Sequence, residues 1–213
     1  MIKVIARESY AISEIVKKPD GLYLRSEYGL MRLSPQSDSI VRISFTRKDD
    51  FENVYGVGIL PHETYSMWDF TDNKDSIDLK TSSLWLRVSK KTGSIRYFNR
   101  DGKLLLAERE YESRVLEEFD SYKTIIDENT VVEEIETPDG IKKRIKEATR
   151  VLDRKLYRTR LYLNWQQDER LYGLGQAQEG VLNLRGTTQY MHQANMKIAV
   201  PMMVSSKGYG ILL

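Results

Sequence analysis

The 213-residue sequence predicts an all-β fold, an antiparallel β-sandwich. Apolar and polar residues alternate along several stretches, which is the period of a strand with one face in the core. Turn sequences containing Asp-Gly, Thr-Gly or Ser-Pro separate these stretches at short intervals. The 13 tyrosines support the prediction, because aromatic side chains favour half-buried sheet surfaces. Sandwiches of roughly 200–250 residues fold as one unit, so we expect a single domain over 1–213.

The alternation is clearest in residues 41–46, 84–88 and 157–165. We expect the apolar side of each stretch to lie in the core, including the side from Tyr157 to Trp165. Turns are predicted at Pro19-Asp20-Gly21, Ser34-Pro35, Thr92-Gly93, Arg100-Asp101-Gly102 and Pro138-Asp139-Gly140. Residues 107–119 fit both a short helix and a strand, and the two alternatives remain open.

The turn at Pro138-Asp139-Gly140 separates an acidic stretch from a basic one. Residues 107–139 hold 12 acidic and 3 basic side chains, whereas residues 140–160 hold 9 basic and 2 acidic ones. A hairpin would bring the two together, at roughly 0.2–1 kcal/mol per opposed pair. We therefore favour a structural hairpin over a phosphate-binding patch. The residues expected to face each other are Glu133, Glu134 and Glu136 on one strand and Lys142, Lys143, Arg144 and Lys146 on the other.

Composition excludes several classes of function. The net charge of +2 offers no field for nucleic acid or an anionic membrane. The absence of cysteine excludes disulfides, thiolate zinc sites and iron–sulfur clusters. No apolar run approaches the ~18 residues of a membrane span. Charges at Lys3, Arg7 and Glu8 interrupt the apolar start that a signal peptide needs, so we expect a cytoplasmic protein.

Chemistry-bearing residues are sparse. Neither of the two histidines, His62 and His192, accompanies a Gly-x-Ser-x-Gly elbow or residues at metal-ligand spacing. We expect His62 in a surface loop, and no metal or other cofactor. Asp69 and Asp72, beside Trp68, resemble the pair of catalytic carboxylates of a glycosidase. The polar residues that follow indicate an exposed loop instead, so we do not expect this pair to be catalytic.

Two features mark the C-terminal part. Gly173-Leu174-Gly175 lacks the lysine and third glycine of a phosphate loop, and predicts a β-bulge or a close backbone approach. Residues 198–204 form an apolar run typical of a strand buried on both faces, in which Pro201 requires an edge or a bulge. The sequence ends within an apolar strand, so we expect a longer protein that covers this face.

Four blocks within 39 residues resemble the N-terminal domain of glycoside hydrolase family 31. Weaker co-linear likeness at residues 40–43, 93–95, 101–105 and 137–140 extends the resemblance over essentially the whole chain. The blocks are Tyr172-Gly173-Leu174-Gly175-Gln176, Leu182-Asn183-Leu184-Arg185-Gly186, Pro201, and Ser205-Ser206-Lys207-Gly208-Tyr209-Gly210.

The resemblance implies a galactose-mutarotase-like β-sandwich, placed before a catalytic (β/α)8 barrel of the same chain that carries both catalytic aspartates. The family's nucleophile motif, an Asp followed closely by Met and Glu, does not occur in these residues. The segment is therefore expected to have no catalytic residue. The full-length protein would hydrolyse α-glucosides or α-xylosides in an oligosaccharide, with retention.

The resemblance also implies that one loop of this domain reaches the sugar pocket of the barrel. The matching positions are His192, Gln193, Ala194 and Asn195, where Asn195 replaces a common Asp. An amide can hydrogen-bond sugar hydroxyls but supplies no charge. The alternative of an ordinary polar loop remains open, and Gln176 and Arg185 are expected to hold turn geometry.

Two further functions remain as alternatives. A free-standing carbohydrate-binding module would use Trp68, Trp85 or Trp165 as stacking platforms. A mutarotase-like enzyme would need a histidine as proton carrier beside a carboxylate. The small number of histidines disfavours the enzyme.

Overall fold

The structure is a computed structural model that describes residues 7–51, 64–128 and 130–213. Its contacts divide the chain into two compact units. The first, here called the sandwich unit, comprises Met1–Ser113 and Tyr162–Leu213, and the second, here called the ribbon, comprises Arg114–Leu161. The described strands are, in chain order, β1 (Ile12–Lys18), β2 (Gly21–Ser26), β3 (Leu30–Pro35), β4 (Val41–Thr46), β5 (Asp69–Asp72), β6 (Ser76–Lys80), β7 (Leu84–Ser89), β8 (Ile95–Asn99), β9 (Leu104–Glu108), β10 (Arg114–Ile125), β11 (Val131–Thr137), β12 (Gly140–Glu147), β13 (Thr149–Leu161), β14 (Leu163–Asn164), β15 (Leu171–Gln176), β16 (Ile198–Ser205) and β17 (Tyr209–Leu212).

The described strands of the sandwich unit form three antiparallel sheets. The first has the order β1-β2-β3-β4, and the second has the order β14-β9-β8-β7-β6-β5. The third has the order β15-β16-β17. Consecutive strands are joined by the predicted turns at residues 19–21, 92–93 and 100–102, which are thereby confirmed.

The hydrophobic core lies between the first two sheets. The alternation in residues 84–88 is confirmed, because Leu86 and Val88 of β7 are fully buried. Residues 41–46 are confirmed as a strand whose Val41, Ile43 and Phe45 pack against this core. Two sheets joined by one apolar layer make an antiparallel β-sandwich, as predicted. The buried core cluster consists of Leu22, Leu24, Met31, Leu33, Trp68, Ile77, Leu79, Leu86, Val88 and Ile95.

The structure decides one alternative that the sequence left open and corrects the loop expected at residues 69–72. It also places Ser34 and Pro35 at the end of strand β3, where the sequence predicted a turn. Residues 107–119 form no helix; they contain the end of β9 and the start of β10, so the strand alternative is right. The single described helical turn is a 3₁₀ turn at Arg7–Tyr10. Residues 69–72 are not a loop but strand β5, which pairs with β6. The apolar Trp68 and Phe70 pack on the core, and this anchors the polar residues between and after them.

The ribbon consists of two consecutive antiparallel ladders. Strand β10 pairs with β13, and β11 pairs with β12 around the predicted turn at residues 138–140. Glu133 faces Arg144 and Glu134 faces Lys143 as predicted, but Glu136 faces Ile141. Opposite charges also pair between β10 and β13, where ion pairs of 2.7 Å join Glu117 to Arg160 and Glu118 to Lys155.

Residues 157–165 do not form one core-facing strand. Strand β13 ends at Leu161, and its Tyr157 and Leu161 remain partly exposed within the ribbon. The chain re-enters the sandwich unit at Tyr162, whose amide donates to the Ser113 carbonyl over 2.8 Å. The Arg109 amide in turn donates to the Tyr162 carbonyl over 3.0 Å. Residues 113 and 162 are therefore neighbours, although the whole ribbon lies between them in the sequence.

Candidate functional site

The third sheet joins three of the four C-terminal sequence blocks directly. Gly173 pairs with Met203 and Gly175 pairs with Ala199, so β16 bulges over residues 200–202. The predicted bulge is present, and Pro201 lies within it. Both glycines have positive φ, and a Cβ on Gly173 would lie 2.5 Å from the Met202 carbonyl oxygen. A side chain at either position would therefore be strained and would collide with the neighbouring backbone.

Glu169 ties the beginning and the end of this sheet together. Its side chain is buried and accepts hydrogen bonds from the Ser205 hydroxyl (2.5 Å), the backbone amide of Gln166 (2.7 Å) and the Tyr209 hydroxyl. Burial by itself would raise the pKa of the Glu169 carboxyl, but these donors and the nearby Arg185 outweigh burial and lower it. Burial and the hydrogen bond to Glu169 raise the pKa of Tyr209.

The second block lies against the start of β15. The Asn183 side-chain oxygen accepts from the Leu171 amide (3.1 Å) and the Arg185 amide (3.2 Å). The Arg185 guanidinium donates to the Gln166 carbonyl over 3.0 Å. These contacts support the structural role expected for Arg185, and Gly186 follows in the exposed turn.

A cleft of about 350 Å³ opens beside this sheet. An ion pair between Lys197 and Glu179 (3.2 Å) lies at the wall of the cleft. The hydrogen bond from the Glu179 backbone amide is the main cause that lowers the pKa of the Glu179 carboxyl, and Lys197 lowers it further. The cleft therefore offers amides, one ion pair and an aromatic ring. Among its lining residues are Gln176, Glu179, Leu184, Gln189, Tyr190 and Lys197.

In the sequence, the residues predicted for the sugar-pocket loop lie between residues 189–191 and residues 197–199, both of which line the cleft. Gln193 accepts a hydrogen bond from the Ala199 amide over 3.1 Å, which fixes it to the start of β16. Asn195 lies in the tight turn closed by Ala194 and Lys197, and both Asn195 and His192 are exposed. None of His192, Gln193 and Asn195 is among the described lining residues, whereas Tyr190 and Lys197 are. The predicted surface residue His62 lies outside the described residues.

One face of the third sheet is apolar and open. Residues directly opposite on neighbouring strands share a face, which places Tyr172, Met202, Val204 and Leu212 together. Leu212 is 71% exposed and Val204 is 45% exposed. We call these four residues the apolar face. Strand β16 is therefore apolar as predicted, but it is not buried on both sides in the described chain.

Two of the three tryptophans offer no free ring for a sugar. Trp68 is buried in the core, with the Lys17 ammonium 4.7 Å from its ring centroid. Trp85 stacks on Phe98 at 4.7 Å, and Lys80 and Arg87 lie over its ring. Trp165 is half-buried. This arrangement disfavours the carbohydrate-binding module that would stack sugars on Trp68 or Trp85.

The carboxylates near Trp68 have structural partners. Asp69 pairs with Lys17 over 3.6 Å and Asp72 pairs with Lys90, so both are neutralised at the surface. In the described part of the chain, no group of three or more His, Asp or Glu side chains is arranged to hold a metal ion. That part also contains no helix long and apolar enough to cross a bilayer.

Solved structures of several carbohydrate-active enzymes share this fold. A GH31 α-xylosidase from Xanthomonas citri superposes with a TM-score of 0.69 at 23% identity, over 91% of this chain and 18% of that one. A GH31 α-xylosidase from a soil metagenome, complexed with xylose, gives 0.66 at 22% identity, over 93% and 27%. A GH31 dextranase from Flavobacterium johnsoniae, complexed with isomaltotriose, gives 0.62 at 16% identity, over 96% and 22%. The fold is thus one that these glycosidases contain as a minor part.

The family follows from sequence. The profile described as the glycosyl hydrolase 31 N-terminal galactose mutarotase-like domain matches residues 30–213, and the chain belongs to this family. The resemblance seen in the sequence is confirmed. An uncharacterized family 31 glucosidase, ORF2, from Pseudescherichia vulneris is 24% identical over 201 residues, which are 94% of this chain and 36% of that protein. The chain spans about a third of the length of this curated relative.

Proposed function

We propose that the chain is the non-catalytic N-terminal domain of a retaining α-glycosidase acting on α-glucosides or α-xylosides. The apolar face of the third sheet is the observation that carries this proposal. An exposed apolar patch on a sheet commonly marks a contact surface. Because the chain covers only 18–27% of the solved α-xylosidases it resembles, those proteins contain ample further sequence to cover such a face.

The partner in this proposal is a catalytic barrel elsewhere in the same protein. Burying a Leu, Val or Met side chain contributes about 1.5–3 kcal/mol, so Met202, Val204 and Leu212 would fix this domain on the barrel. Two aspartates of the barrel would carry out the reaction. One would form the glycosyl-enzyme intermediate, and the other would act as acid and then as base.

The contribution of this chain to catalysis would be the loop at residues 177–197. The side-chain amide of Gln189 can donate and accept hydrogen bonds with sugar hydroxyls. Tyr190 offers an exposed aromatic ring. Asn195 and His192, exposed on the same loop, would complete the rim of the sugar pocket. Their role would be to bind and orient the substrate, since none of them is placed as a nucleophile.

Activity measurements on two proteins test the proposal. The purified 213-residue chain is expected to turn over neither aryl α-xylosides nor aryl α-glucosides, whereas the full-length protein is expected to turn over at least one. Turnover by the isolated chain, with contamination excluded, would contradict the non-catalytic role.

Loop variants of the full-length protein test the pocket contribution separately. Asn195→Ala and Tyr190→Ala are each expected to lower kcat/KM about tenfold, the equivalent of one lost hydrogen bond or stacking contact of roughly 1.4 kcal/mol. Gln167→Ala removes an exposed amide from the turn before β15 and serves as the matched control. If both loop variants kept the control's kcat/KM, the loop would not line the pocket.

A further inference from the structure

The tip of the ribbon carries a mixed apolar and charged surface. Val132 faces Ile145, Glu134 faces Lys143 and Glu136 faces Ile141, so these six side chains share one face, here called the tip face. Val132 is 51% exposed, Ile141 70% and Ile145 44%. The opposite face is more covered on β11, where Glu133, Ile135 and Thr137 are only partly exposed. Three apolar side chains therefore remain in water on the tip face.

The two arms of the ribbon carry opposite charges. Residues 114–139 contain nine acidic and two basic side chains, and residues 140–161 contain nine basic and two acidic ones. Several of these charges pair within the chain, as Glu133 does with Lys146 at 3.9 Å. No ion pair to another described residue engages Glu134, Glu136 or Lys143. The charges of the tip face are therefore available to a partner.

This separation of charge restricts how two copies could meet about a two-fold axis. Edge-to-edge pairing would align β11 with β11 or β12 with β12, and would oppose acid to acid or base to base. Antiparallel stacking of the tip faces would place Glu134 over Glu134 of the second copy. Like charges in direct opposition are destabilising.

One two-fold arrangement avoids both conflicts. When two tip faces stack with their ribbons parallel, the acidic arm of each copy lies over the basic arm of the other. Glu134 then lies over Lys143 of the second copy, and Val132 lies over its Ile145. Stacked sheets lie about 10 Å apart, which suits side chains of these sizes. The contact is self-complementary, so it closes at two copies.

We propose that the chain associates with a second copy of itself through this parallel stacking of the tip faces. Six side chains per copy make a contact smaller than the ~800 Å² per partner that stable complexes bury. The dimer is therefore weak, with a dissociation constant in the micromolar range or above, and its ion pairs make it sensitive to salt.

Sedimentation velocity on the 213-residue chain tests the association. A concentration-dependent dimer is expected at about 0.02 M salt, with a dissociation constant at least tenfold higher at about 1 M, where charges are screened beyond ~3 Å. Ile145→Ser is expected to weaken the dimer by a further tenfold. A chain that stays monomeric at every concentration and salt overturns the proposal.

A charge-swap variant tests the geometry without breaking the ladder. Glu134→Lys/Lys143→Glu keeps opposite charges across the hairpin and also across the parallel stack of two swapped copies. The variant should dimerise with itself as the natural chain does, but mixed dimers would oppose Glu to Glu and Lys to Lys. Because the swap only exchanges one Glu and one Lys, the two chains have the same mass, so the natural chain is labelled with ¹⁵N before mixing. Native mass spectrometry of the mixture should then show mixed dimers at less than a tenth of the statistical proportion.

The matched control swaps an exposed ion pair outside the ribbon. Asp168 and Lys207 are joined over 2.7 Å in the sandwich unit, so Asp168→Lys/Lys207→Asp should mix with the natural chain statistically. Free mixing of the tip variant as well would overturn the parallel stack. The absence of cysteine adds an orientation test, because Asp139→Cys takes a single spin label at the turn. A short distance between labels supports parallel ribbons. A distance of about 30 Å, twice the five-residue span from Glu134 to Asp139 at ~3.3 Å per residue, is that of the antiparallel stack and overturns them.

Discussion

Glu169 is a buried carboxylate on which two hydroxyls and an amide converge. Its neighbour Asp168 is exposed and pairs with Lys207. Because buried charge-assisted hydrogen bonds are strong and surface ion pairs are weak, adjacent acids should differ sharply in their effect on stability.

We expect Glu169→Gln to lower the free energy of unfolding by about 1–3 kcal/mol, since the amide loses the charge that the hydroxyls stabilise. Asp168→Asn should cost less than about 1 kcal/mol. Urea denaturation of both variants at pH 7 checks the pair. Equal losses of stability in the two variants would mean that the hydrogen bonds of Glu169 do not hold the third sheet together.

The pH dependence of this difference follows from the lowered pKa of Glu169. The unfolded chain takes up the proton first, near the ordinary glutamate pKa of about 4.3, so the contribution is present above that pH. It is lost as pH falls through the lower pKa of the folded state. The stability gap between the natural chain and Glu169→Gln should therefore narrow below pH ~4. A gap unchanged down to pH ~3 would contradict the assigned shift.

For single residues, the sequence predicts the backbone conformation better than it predicts which side chains form hydrogen bonds. Gly173, Gly175 and Pro201 indicate a bulge by themselves, because each restricts or frees the backbone locally. Glu169 resembles any other of the 31 acidic residues, since the hydroxyls that mark it lie 36 and 40 positions later in the chain. No local signal distinguishes it.

Among the elements, β7 and β13 show how one pattern can have two outcomes. Both alternate apolar and polar residues, yet Leu86 of β7 is fully buried, whereas Leu161 on the apolar side of β13 is 46% exposed and Leu156 on its other side is 40% exposed. Alternation establishes that a strand has an apolar side. It does not establish that another sheet covers that side, because the covering sheet lies elsewhere in the sequence.

We therefore expect Leu86→Ala and Leu156→Ala to differ in cost. The core substitution should destabilise the chain by about 2–5 kcal/mol, because it leaves a cavity. The ribbon substitution loses one cross-strand contact with Phe119 and should cost about 0.2–1 kcal/mol. Urea unfolding of the two variants measures the difference. A loss at Leu156 as large as at Leu86 would show that the ribbon packs more tightly than its exposure indicates.

At the scale of the whole molecule, the proposed docking of the apolar face on a catalytic barrel can be tested with one substitution in two proteins. Leu212→Lys should change the stability of the isolated 213-residue chain by less than about 0.5 kcal/mol, as expected at an exposed position. In the full-length protein the same change should cost about 2 kcal/mol or more, because it removes a buried leucine and buries a charge.

Ile40→Lys is the control for this comparison, since Ile40 is also an exposed apolar residue but lies outside the apolar face. Its effect should be equally small in both proteins. Denaturation of the isolated and full-length proteins in parallel measures all four values. A small effect of Leu212→Lys in the full-length protein would place the barrel elsewhere.

The hydrogen bond between Tyr162 and Ser113 also has a consequence for the order of folding. The pairing of Leu163 with Glu108 joins parts of the chain separated by the whole ribbon. Closing so long a loop is entropically costly, whereas a hairpin grows from its turn in about 1–10 μs by local steps. A ribbon that zips from residues 138–140 brings residues 113 and 162 together before the sheet edge forms. Formation of the exposed ribbon thereby shortens the loop that must close before β14 can pair with β9.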